Sequence, residues 1–228
     1  MSAMVIPHRV EGSPHRSCTD TNLAPAFRPR GGARARSMRV LAAHLGDAVG
    51  LAVAPSHVVW FGLKAPGPDP DRRAFRSSWS LYGAPLPILA CPPDMSPVFS
   101  DRGLRTDVFC DVSRYAPAEV GAVLIPVEQS AGPILLLSGD DDHQWPAAPM
   151  AEELVRRMED YRRGDDVTNV IYPGAGHTSL VQDFMSPPGA GTEPLFDLGG
   201  SLQGDQVAST DAWRRTVTFL QGHRFPTD

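Results

Sequence analysis

Lysine is almost missing from this chain. Of its 21 basic residues 20 are arginine, and Lys64 stands alone. Together with the abundant glycine and proline, this points to a GC-rich coding sequence more than to a function. A strong charge imbalance is missing too: the net charge is -5, which excludes a general affinity for nucleic acid. Cysteine is scarce. Cys18, Cys91 and Cys110 are odd in number and widely spaced, which excludes a disulfide framework and a zinc cluster. No apolar run reaches the length of a membrane-spanning helix. The first nine residues are too few and too polar for a secretory h-region. A cytoplasmic protein is therefore expected, with neither a membrane nor a nucleic acid as partner.

What is present falls into two parts. Residues 1–36 carry Arg9, Arg16, Arg28, Arg30, Arg34 and Arg36 against only Glu11 and Asp20, and prolines at 7, 14, 25 and 29. No helical or strand period persists there, so the stretch is expected to be an irregular Arg- and Pro-rich leader. Residues 37–228 are expected to form the folded domain, and 228 residues suffice for one domain plus an extension.

Within that domain, Met38, Leu41, Ala42 and Leu45 share a helical face, with Gly46 as a stop. The apolar run from Gly50 to Ser56 reads as a buried strand. Residues 58–132, dense in proline, read as a long excursion of short helices and turns. Cys91 and Cys110 fall in it as ordinary small residues, neither set like an activated thiol. The four aliphatic residues Ile134 to Leu137 predict a central strand over 133–139. A helix is predicted over 148–161, with Met150, Leu154, Met158 and Tyr161 inward. On its outer face Glu152 and Glu153 stand four residues before Arg156 and Arg157, the favourable order for ion pairs, and Gly164 reads as its stop. Asn169 to Tyr172 is the next strand. A last helix is predicted over 210–223, capped by Thr210, with Trp213, Val217 and Leu220 inward and Gly222 at its end. Strands alternating with helices imply an α/β fold, a parallel sheet with flanking helices. Ligands of such sheets bind at the carboxyl ends of the strands.

Two chemically capable residues fall at those ends. Asp142 follows the central strand, and His177 follows the next strand in Pro173-Gly174-Ala175-Gly176-His177. An acyl-transfer triad needs a nucleophile, a histidine that takes its proton and a carboxylate that fixes the histidine's tautomer. In α/β-hydrolases they occur in the order nucleophile, acid, histidine, which Asp142 then His177 obeys. A metal-dependent alternative would gather Asp140, Asp141, Asp142, His143 and His177 around a hard cation. Adjacent side chains of one turn rarely converge, and the histidine spacing is unlike a zinc site, so no metal and no cofactor is expected. His143 reads as a capping residue and Trp145 and Tyr172 as packing residues. His8, His15, His44 and His57 are expected to face solvent.

The run Gly139-Asp140-Asp141-Asp142-His143-Gln144-Trp145 resembles the C-terminal domain of the acyl-CoA thioesterase and bile acid-CoA:amino acid N-acyltransferase (BAAT) family. So do Tyr172 to His177, Leu198-Gly199-Gly200, Asp211-Ala212-Trp213 and Ile125-Pro126-Val127-Glu128. The resemblance implies an α/β-hydrolase-like sheet, of which only the C-terminal part is visible. It further implies an acyl-CoA thioester substrate, Asp142 as catalytic acid and His177 as catalytic histidine. Gln144 replaces the family's usual Asn. The family's nucleophile elbow would fall just before Gly31-Gly32, ahead of Ser37-Met38, but Pro29 occupies the nucleophile's position. Ser37 is the nearest hydroxyl, and it reads as an N-cap or exposed serine. The family's N-terminal β-sandwich and the early hydrolase strands are not recognisable, so a truncated member, or one with a misassigned start, is expected. Two readings follow: an acyl-CoA thioester hydrolase or acyltransferase, or a catalytically inactive remnant or partner-dependent module.

Overall fold

A computed structural model of the protein describes residues 49–62, 76, 77, 79–81, 84–90, 96, 98–177, 180 and 196–223. The predicted leader, the helix expected from Met38, the Gly31-Gly32 pair, Ser37, Cys91, His8, His15 and His44 lie outside them.

Three parallel strands make the main sheet: β1 (Gly50–Val53), β8 (Ile134–Gly139) and β9 (Val167–Tyr172), with β8 in the middle. Leu51 pairs with Leu135, and Leu137 with Val170. Alternate residues of a strand face opposite sides, and β8 buries both. Leu135 and Leu137 pack with Leu51, Tyr172, Ala208 and Ala212. Ile134 and Leu136 pack with Ala151, Leu154 and Met158. An unbroken aliphatic run is what a strand covered on both faces requires, and all six residues of β8 are buried. The fold is thus α/β, as expected.

Between β1 and β8 lie three small antiparallel pairs where short helices and turns alone are expected. They join β2 (Phe61–Gly62) to β3 (Arg76–Ser77), β4 (Ser80–Leu81) to β5 (Ala84–Pro85) and β6 (Val98–Ser100) to β7 (Gly103–Arg105). Strands of two or three residues bury too little to leave an alternating pattern. A short helix, α1 (Pro117–Gly121), follows. Cys110 is buried in a cluster with Val58, Trp60, Leu89 and Met150. His57, expected at the surface, is 7% exposed, and its Nδ1 has no hydrogen-bond partner among the described residues. Burial lowers its pKa from the usual 6.5, against a smaller opposing pull from Glu153. A lowered histidine leaves stability intact above the unfolded value and loses it as pH falls through the folded one. Stability should therefore decline below about pH 6.5, and His57→Phe should flatten that part of the pH–stability curve in urea titrations.

Helix α2 (Ala147–Asp160) lies one residue from its predicted start and buries Met150, Leu154 and Met158 as predicted. Tyr161 is instead 57% exposed. It sits at the C-cap, where its ring receives the Arg157 guanidinium 5.5 Å from the centroid. The expected ion pairs are replaced. Arg156 binds Glu153 at 2.5 Å and Asp160 at 3.1 Å. Arg157 forks onto the buried carboxylate of Glu128, with its Nη2 2.8 Å away. A buried carboxylate needs its cation more than an exposed glutamate does. The helix also stops before Gly164. Arg162 turns it off at φ 59°, with its N–H on the Glu159 carbonyl and that of Arg163 on the Met158 carbonyl, each at 2.8 Å. This double bond pattern ordinarily carries glycine at the left-handed position. Arg162→Gly should stabilise the domain by roughly 0.5–1 kcal/mol, read as a rise of a few degrees in thermal midpoint.

Helix α3 (Leu202–Gly222) begins eight residues before its predicted start, because Ser201 is the cap: its Oγ accepts from Gly204 N at 3.1 Å. Its inner face is set by small residues, Ala208 and Ala212, which let it lie close to the sheet. Trp213, expected inward, is 47% exposed. Tyr172 at the end of β9 donates its hydroxyl to Asp211 at 3.0 Å, and Arg214 and Arg215 hold the same carboxylate. Those contacts depress Asp211 to about 2, and burial with the Asp211 bond raises Tyr172 to about 12. Among the described residues no helix is long and apolar enough to cross a membrane.

Candidate active site

The site forms where β8 and β9 end side by side. Past Gly139 the chain turns through Asp140 to Trp145, and the three consecutive aspartates diverge. Asp140 Oδ1 accepts from Gly174 N at 2.7 Å. Asp141 accepts from Gly200 N at 2.9 Å and meets His143 Nε2 at 3.0 Å. Asp142 Oδ1 accepts from Gln144 N at 2.8 Å and Trp145 N at 3.3 Å, and its Oδ2 lies 2.8 Å from His177 Nδ1. Among the described residues no three His, Cys, Asp or Glu side chains gather where they could hold a metal ion.

Asp142 and His177 are both buried. A carboxylate can only accept, so the proton of the shared hydrogen bond sits on Nδ1, and in the neutral imidazole Nε2 carries the lone pair. That arrangement suits a general base whose working nitrogen is Nε2. The backbone of His177 is fixed by its N–H on the Leu198 carbonyl at 2.8 Å. Gly176 permits that approach, since a Cβ there would stand 2.6 Å from the Leu198 oxygen. Gly199, at φ +73°, permits the next: a Cβ would lie 1.7 Å from the Asp141 oxygen. Leu198-Gly199-Gly200 thus packs against the acidic turn and the His177 loop at once. The Trp145 and His177 rings meet edge to face, 4.4 Å between centroids, and Trp145 Nε1 donates to the Ala54 carbonyl at 3.1 Å.

The residue that sequence reasoning missed is Asp197. Only 2% exposed, it gathers Ser100 Oγ at 2.7 Å, Gly199 N at 2.9 Å, His143 Nδ1 at 2.9 Å and Arg102 Nε at 3.2 Å. Burial alone would raise its pKa; the hydrogen bonds of Ser100, Gly199 and His143 outweigh it and hold the group at about 2. Asp197 therefore ties the β6–β7 hairpin to the acidic turn. Thr106 Oγ1 adds a bond to the Gln144 carbonyl at 2.7 Å, and Gln144 Nε2 returns one to Asp197 O at 3.2 Å. Asp197 directly precedes the Leu-Gly-Gly run, and that adjacency was the available signal. A cleft of about 220 Å³ runs along the acidic turn, lined by Arg105, Asp107, Asp140 and His143. Its wall mixes these polar groups with Pro146, Ala147 and Ala148, includes Asp142 and does not include His177.

Residues 105–225 match the family model described as BAAT / Acyl-CoA thioester hydrolase C terminal. The chain is similar to acyl-coenzyme A thioesterase 6 of Mus musculus, 36% identical over 104 residues, 43% of this chain and 24% of the relative. It is 34% identical over 106 residues to mouse acyl-coenzyme A thioesterase 2, mitochondrial, covering 42% of this chain and 22% of that one. It is 29% identical over 104 residues to mouse peroxisomal succinyl-coenzyme A thioesterase, covering 44% and 24%. The chain matches about a quarter of the length of these curated relatives.

Proposed function

Since the chain belongs to the BAAT / acyl-CoA thioester hydrolase C-terminal family, we propose that it acts on acyl-CoA thioesters through an α/β-hydrolase-type site. Residues 37–228 form its domain, with 1–36 as a leader, in the cytoplasm. Asp142 orients His177, and His177 Nε2 takes the proton of a nucleophile as that group attacks the thioester carbonyl. The same proton then goes to the departing CoA sulfur, leaving an acyl-enzyme that water or an amine resolves. The observation that carries this reading is the 2.8 Å contact of Asp142 Oδ2 with His177 Nδ1, which selects the neutral tautomer whose lone pair is on Nε2. It is supported by the relatives, whose names are those of acyl-CoA thioesterases.

Pro29 favours a second reading. It stands where the resemblance would put the nucleophile, has neither hydroxyl nor thiol, and lies outside the described residues. The chain would then be an inactive or partner-dependent family module. Thiol release from an acyl-CoA by the purified chain decides between them. Turnover that His177→Ala abolishes is the expected result of the first reading; a folded chain with no turnover establishes the second.

A further inference from the structure

We infer that Trp145 is the positioning residue of His177, fixing the imidazole plane in which Nδ1 meets Asp142. The inference rests on the proposed pairing of Asp142 and His177. One hydrogen bond places a ring nitrogen but leaves the ring free to swing about it, because the outer torsion of histidine is broad and roughly two-fold. The edge-to-face indole, 4.4 Å between centroids and 77° between planes, removes that freedom. Trp145 is itself held at two further points. Its backbone N–H reaches Asp142 Oδ1, the other oxygen of the carboxylate that takes His177, at 3.3 Å. Its Nε1–H reaches the Ala54 carbonyl at 3.1 Å. Ala54 directly follows β1 in a left-handed conformation, φ 47°, which a non-glycine residue keeps only where its surroundings impose it. Its own N–H is pinned to the Leu137 carbonyl of β8 at 2.8 Å. The sheet thus holds Ala54, Ala54 holds the indole, and the indole holds the imidazole.

The test uses the full chain and the low-field proton resonance of a carboxylate-bound imidazole Nδ1–H. In the unmodified protein that proton should be visible and slow to exchange with water. Trp145→Ala should speed its exchange about tenfold, the upper end of what an aromatic pair contributes, and Trp145→Phe, which keeps a ring edge, should restore most of the protection. Exchange unchanged in a folded Trp145→Ala, or equally fast in both variants, overturns the inference. Should the alanine variant not fold, nuclear Overhauser contacts between the Trp145 and His177 rings in the unmodified chain decide: their presence supports the inference and their absence overturns it. Asp142→Asn separates the two levels. A resonance that survives it refutes the acid–base pairing itself, whereas one lost there but insensitive to Trp145 refutes only the positioning role.

Discussion

Asp197→Ala is expected to cost roughly 3–5 kcal/mol of stability, the toll of removing one partner from a buried ionic cluster. A domain of this size is stable by about 5–15 kcal/mol, so the loss would be about a fifth of the total or more. Arg102 contributes least to it, because that side chain is nearly half exposed and can turn to water. The cost arises at Ser100, His143 and Gly199, whose donors point into a buried space that alanine leaves without an acceptor. Asp197→Asn keeps one acceptor and should cost less. The same carboxylate predicts an acid limb in the stability curve. Its folded value of about 2 lies below the ordinary 3.8. A depressed carboxylate stabilises above its unfolded value and loses that contribution as pH falls through the folded one, here about 2 kcal/mol between pH 4 and 2. Urea denaturation at a series of pH values should show this limb in the unmodified chain and not in Asp197→Asn.

That Asp197 was not legible in the sequence, whereas Asp142 and His177 were singled out, has a physical reason. A strand end and the loop after it are local: four successive aliphatic residues announce β8, and the first acidic turn past it follows by position. The partners of Asp197 come from three separate segments, at 100–102, at 143 and at 199, and no periodicity connects them. The same contrast separates the two long helices. Helix α2 buries Met150, Leu154 and Met158, large residues whose spacing can be read directly. Helix α3 buries Ala208 and Ala212, and small residues leave a weak signal beside an exposed tryptophan. Its start lies eight residues before the expected one because a polar first turn, capped by Ser201, looks like a loop when hydrophobic spacing is the guide. The ion pairs of α2 differ from those its own spacing suggests for the related reason that Glu128, far away in sequence, outcompetes the helix's own glutamates for Arg157.

On the proposed mechanism, Asp142→Asn is expected to reduce thioester turnover by about 10⁴-fold while leaving the fold intact, the size of effect found where a triad aspartate is made neutral. The geometry dictates how. Two backbone N–H groups, those of Gln144 and Trp145, point at Oδ1. An asparagine in that place must turn its carbonyl oxygen toward them, since its amide nitrogen would set donor against donor. The amide NH₂ then faces His177 Nδ1, where only a lone pair can meet it. The ring must move its proton to Nε2, and the nitrogen that should accept the nucleophile's proton is already occupied. The variant would therefore hold every atom within hydrogen-bonding distance and still carry the wrong tautomer. Ring ¹⁵N chemical shifts of His177 report that switch directly, with Nδ1 protonated in the unmodified chain and Nε2 protonated in Asp142→Asn. Because they need no turnover, they test the pairing of acid and histidine even in a chain that lacks a nucleophile.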